Sequence, residues 1–348
     1  ASERAASHDQ AEPPNWSAQL AATSQPMARW QVLFSAGAWF EEDFQDEKAR
    51  ARYREALAEL AALPGDDPEA RLPRLDTRIA LVRLEEDSAL RQAAYLALLP
   101  ELRQLPSAER SRLADALEGL AWLQPWHAPQ QAAYLEEAIA VRGALVGQSP
   151  DYNLGQDRVE LARLYDAQGR SAEAEALLQA NVSGAGPEFA YFRPPYVWFL
   201  LAHGRAAEAL AALPAQDVPG LEIADARFWA LRQAGDTVAA QVVLAGQLTQ
   251  ARQRKRPNED AVMRLLLDLV VVHVRDPARE AQWLAEAARQ REKLGKDFRY
   301  LRSSIRDEAE SAHWEALRGQ ARLEVLDRLP GAEQDRRDEE ARKRQCGR

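Results

Sequence analysis

Apolar residues recur three and four positions apart along most of this 348-residue chain. Over 157–168, Val159, Leu161, Ala162, Leu164 and Tyr165 fall on one side of a 3.6-residue turn, the mark of an amphipathic helix. Runs alternating at period two, which a half-buried strand requires, are missing. Breaks fall at 64–68, 72–73, 106–107, 125–129, 147–150, 184–187, 214–220, 257–258 and 276–277, each rich in Pro, Gly, Asp or Asn. Ser107 and Asp76 stand where helix-opening residues belong. The pattern predicts an all-α protein of about 14 to 16 helices. Both ends depart from it. Residues 1–15 are polar and carry Pro13 and Pro14, and 332–348 hold 11 charged residues in 17, so a flexible lead and a solvated tail are expected around an ordered 16–331.

The helices also repeat as pairs. Leu161 to Ala174, the stretch ending in Ala209, and the stretch ending in Ala240 align on the glycines Gly169, Gly204 and Gly235, which are 35 and 31 residues apart. Each glycine follows an apolar helix and suits the left-handed conformation that ends one. Five residues later each copy has an alanine (Ala174, Ala209, Ala240), small enough to let two helices lie close. Leu178, Leu213 and Leu244 come next and would fill the space between pairs. One such hairpin cannot bury its apolar face alone, so the copies are expected to stack.

These residues resemble the tetratricopeptide repeat, whose period is about 34. Leu161, Ala162, Tyr165, Gly169, Ala174 and Leu178 match its signature positions, and Pro187 falls near its closing proline. The stretch 134–147 looks like the longer repeat of kinesin light chains. The match is clearest over 110–245. Residues 30–63 and 265–281 look like degenerate copies, and a terminal helix over 305–329 would cap the array. The resemblance implies a right-handed superhelical α-solenoid, in which the first helix of each hairpin lines a concave groove. Carried across residue by residue, the groove positions are Gln156, Val159, Arg163 and Asp166, then Tyr191, Pro194, Trp198 and Leu201, then Glu222, Asp225, Trp229 and Arg232. Arg163, Trp198 and Trp229 thereby share one slot. With Tyr191 and Arg232 they are the candidate partner-binding residues, because Trp, Tyr and Arg dominate interface hot spots. Six aromatics crowd 189–199, and Trp198 and Trp229 could equally pack between hairpins, so groove and core placements stand side by side here. Pro194 and Pro195 belong in a helix's first turn and bear on where this helix starts.

Composition narrows the function. Hydrophobic residues make up 46% and charged residues 28%, a globular share built largely from helix formers. The Ala, Arg and Leu richness suits a high-GC bacterial source. With 54 acidic against 45 basic side chains the chain is net acidic, which argues against broad nucleic-acid affinity. The basic run 252–256 reads as a helix C-terminus complementing the macrodipole. A single cysteine, Cys346, excludes an internal disulfide and a cysteine-based zinc site. The most apolar stretch, 265–274, is interrupted by Asp268 and is shorter than the roughly 20 residues of a membrane helix, so no membrane insertion is expected. The compartment stays open between cytoplasmic and exported, and homo-oligomerisation is left open.

Catalytic motifs are missing. None of His8, His127, His203, His273 and His313 lies in H-E-x-x-H, and phosphate-binding and nucleophile-elbow glycine motifs are lacking. Glu310 and His313 have the spacing of half a di-metal site, with no second copy to complete it. No metal or cofactor is expected. The leading expectation is a non-enzymatic scaffold or adaptor that binds a protein or peptide segment in its groove. The alternatives are a regulatory sensor closing on a small molecule, and a helical enzyme without a recognisable motif.

Overall fold

The computed structural model describes residues 15–145, 152–183, 191–214, 223–311 and 313–337. The lead before Asn15, the breaks at 147–150 and 184–187, most of 214–220, His8, Phe189, Glu222, Cys346 and the tail beyond Arg337 lie outside the described residues. The described chain is helical throughout, with no strand, and each helix packs chiefly on its neighbours in sequence. Seventeen α-helices are bounded within it, more than the sequence pattern suggests. The chain divides into two compact units, Ala1–Asp157 and Arg158–Arg348.

The first unit holds α1 (Trp16–Ala21), α2 (Pro26–Glu42), α3 (Asp46–Ala61), α4 (Pro68–Arg83), α5 (Ser88–Leu102), α6 (Ser111–Trp122), α7 (Pro129–Leu145) and the first residues of α8 (Tyr152–Ala167). Successive helices pack from α1 through α7, and α2 also meets α4 while α4 meets α6. Close approach is set by two glycines. A side chain on Gly37 would collide with the ring of Tyr53, and one on Gly119 with the ring of Tyr95. Both rings are buried.

Helix α4 corrects two expectations. It starts at Pro68, capped by Asp67, and runs straight through Pro73. Proline cannot bond the carbonyl four residues back, which is that of Glu69 in the exposed first turn, where water can serve it. Asp76 consequently lies inside the helix and pairs with Arg112 at 2.9 Å rather than opening a helix. Ser107 opens a short 3-10 turn ahead of α6.

The second unit continues with α9 (Ser171–Val182), α10 (Arg193–Ala202), α11 (Ala206–Ala212), α12 (Ile223–Gln233), α13 (Thr237–Gln253), α14 (Glu259–Val272), α15 (Pro277–Leu294), α16 (Phe298–Glu310) and α17 (Ala316–Leu326). The three turn glycines have φ of 78°, 73° and 85°. Each turn closes with the same pair of bonds. The amides of Arg170, Arg205 and Asp236 donate to the carbonyls of Tyr165, Leu200 and Leu231 at 2.8, 2.8 and 2.9 Å. The glycine amides donate to Asp166, Leu201 and Arg232. This is the Schellman motif, made three times. Ala174, Ala209 and Ala240 are fully buried, and so are Leu178 and Leu244. Pro194 and Pro195 fall in the first turn of α10, where a missing N–H costs nothing.

At the C-terminal end the sequence reading needs correcting. The expected single helix over 305–329 is two helices, broken where Ser311 takes an extended conformation with ψ of 153°. The break lets α17 fold back on α16 and also reach α14. Residues 332–337 are helical rather than a loose tail, and Asp335 accepts two bonds from one nitrogen of Arg291 at 2.9 and 2.8 Å.

Candidate functional site

Trp198 and Trp229 lie side by side, and the segment 313–322 meets both Arg163 and Trp198. Arg163, on α8, has its guanidinium 5.6 Å from the ring centre of Trp314 and 3.6 Å from Glu315, and pairs with Glu160 at 2.7 Å. Asp166, one turn later, accepts the Trp314 Nε1–H at 2.8 Å and the Ser171 hydroxyl at 2.6 Å, with His203 Nε2 at 3.0 Å. Phe199 meets the Trp314 ring edge-on at 5.5 Å. Trp198 carries the guanidinium of Arg318 over its face at 5.1 Å.

Next along the slot, Asp225 accepts from Arg318, which also bonds Glu308. Arg322 grips Asp268 with both ends of its fork, at 2.8 and 2.6 Å, and approaches Asp225 at 3.4 Å. Arg264 bonds the other oxygen of Glu308 at 2.8 Å. Three arginines and three carboxylates thus form one neutral network. Burial opposes the charge on Arg322, yet Asp268 and Asp225 outweigh it and hold the guanidinium above its ordinary range. Burial pushes the Asp268 carboxyl up, and Arg322 offsets part of that rise. Bidentate Arg–carboxylate geometry makes such contacts directional, so the network fixes the register of α17.

Of the two placements left open for the tryptophans, groove and core, both take the core one. Trp198 is 0% and Trp229 1% exposed, and their rings lie 6.4 Å apart in the core of the second unit. Bare indoles in an open groove would leave a large apolar area in water, and here neighbouring helices and Arg318 cover Trp198. Val159, Pro194 and Leu201 are buried, and Gln156 is half-buried. Tyr191 is 57% exposed. Arg232 is half-buried, stacked 5.1 Å from the ring centre of Trp229.

Sequence reasoning missed Trp314, Arg318 and Arg322. Their spacing of four puts them on one face, a signal visible in the sequence. Their acidic partners stand up to 148 residues away, and no local pattern links the two sets. Glu310 and His313 sit either side of the helix break. Among the described residues no group of three His, Cys, Asp or Glu is gathered as a metal site requires, and no helix is long and apolar enough to cross a membrane. No family model and no curated protein matches this sequence.

Proposed function

We propose that the chain is a tetratricopeptide-type α-solenoid acting as a non-enzymatic scaffold that holds a protein or peptide segment. The observation that carries this reading is the use made of the slot. Positions that the repeat resemblance assigns to a groove grip one segment of the chain itself: Arg163 and Asp166 hold Trp314 in the turn before α17, and Trp198 and Asp225 hold Arg318 on the amphipathic helix α17. Aromatic faces and paired charges hold that helix, which is the chemistry by which helical segments are recognised in grooves. The threefold hairpin with glycine turn and buried alanine supports the solenoid part of the reading.

A partner then engages the part of the groove that α17 leaves open, with exposed Tyr191 and half-buried Arg232 as contacts. The test is cross-linking mass spectrometry on the full chain isolated from its source cells. Cross-links from one stoichiometric protein to α8, α10 and α12 are expected. Isolation without any protein partner, or cross-links confined to α9, α11 and α13, would refute the reading.

A further inference from the structure

Beside the docked α17 a cleft of about 510 Å³ stays open, within the usual size of small-ligand sites. Its walls are Leu201, Trp229 and Arg232 on one side and His313, Trp314 and Leu317 on the other. One cation on this wall has no acceptor among the described residues. Arg232 is half-buried, and burial lowers its pKa, with Asp268 and Glu324 acting only through space. Its guanidinium forms no ion pair or hydrogen bond with any described residue, only the stack on Trp229.

The neighbouring arginines are different. Arg163 is paired with Glu160, Arg318 with Asp225 and Glu308, and Arg322 with Asp268. Among the described residues Arg232 is the cation of this face left without a carboxylate, and it also borders a second cleft of about 710 Å³ with His273 and Arg275 on its walls. A guanidinium withdrawn from water without an anion is costly, and a planar carboxylate matches its fork.

We infer that the cleft binds a carboxylate carried on an apolar body. Arg232 takes the carboxylate, and Leu201, Trp229, Trp314 and Leu317 line the place of the apolar part. Two sources offer this chemistry, a free organic acid and the C-terminal carboxylate of a peptide. The inference rests on the cleft and does not depend on the scaffold reading.

The experiment is titration calorimetry on the full chain with four probes: indole-3-acetate, 4-methylpentanoate, a hexapeptide ending in a leucine carboxylate, and that hexapeptide amidated. At least one acid should bind saturably below millimolar concentration, and the amide should not. Arg232→Gln should weaken the binding about tenfold or more, as loss of a charge-assisted bond does. Binding of the free acids alone assigns a small ligand, and binding of the peptide acid assigns a chain terminus. Should Arg232→Gln not fold, Gln320→Glu, exposed on the cleft wall, sets a like charge beside the ligand and should weaken binding to the same degree. The inference fails if no acid binds up to millimolar concentration, if the amide binds as well as the acid, or if neither variant changes the affinity. Such a failure leaves the scaffold reading standing, since that reading is tested by protein cross-links.

Discussion

A single side chain shows how charge is managed in the second unit. Arg322 is 3% exposed and its fork closes on Asp268, which is wholly buried. Taking two ions out of water costs several kcal/mol each, and the bidentate contact roughly returns that sum. Breaking the pair and replacing it are therefore expected to differ. Arg322→Met, which strands Asp268, should cost about 3–5 kcal/mol, read as a lower denaturant midpoint. Adding Asp268→Leu should bring the midpoint back to the parent's level or above it. A single variant as stable as the parent would refute the account. Arg232, Trp198 and Trp229 were legible as a set of special residues from repeat alignment. Their burial was not, because a groove position and a core position carry the same residue types until the covering element is known.

Helix boundaries follow the same division. The glycine turns at 169, 204 and 235 were readable, since only a left-handed residue closes a Schellman turn cheaply. Pro73 misled because a proline near a helix start costs little when the orphaned carbonyl is in water. The α16–α17 crossing is set by Gly319, where an added side chain would come within 2.5 Å of the Ala309 backbone nitrogen. Backbone cannot swing aside as a long side chain can. Gly319→Ala should gain helix propensity yet lose about 1–3 kcal/mol by overpacking. Thermal melts by circular dichroism check the sign, and a rise in melting temperature would show that the two helices are free to separate.

At the scale of the molecule, sequential packing of helices in each unit agrees with the low-order, neighbour-to-neighbour architecture that the repeats imply. The C-terminal end departs from it, because α17 packs on α14 as well as on its neighbour α16. Ala332 is buried and Asp335 is tied to Arg291, so the ordered part extends past 331. A chain ended at 331 should melt several degrees below one ended at 337, as loss of about 1 kcal/mol does. Equal melting temperatures for the two truncations would return 332–337 to the solvated tail. The sequence alone determined that the chain is helical and where its hairpins turn. Those properties depend on residues within a turn or a repeat of one another. Only the tertiary structure decided that the segment 313–322 lies against Arg163 and Trp198, that the tryptophans are core and that Arg232 has no anion among the described residues. Each of those depends on side chains far apart in sequence, whose meeting is set by where the helix after Ser311 folds back.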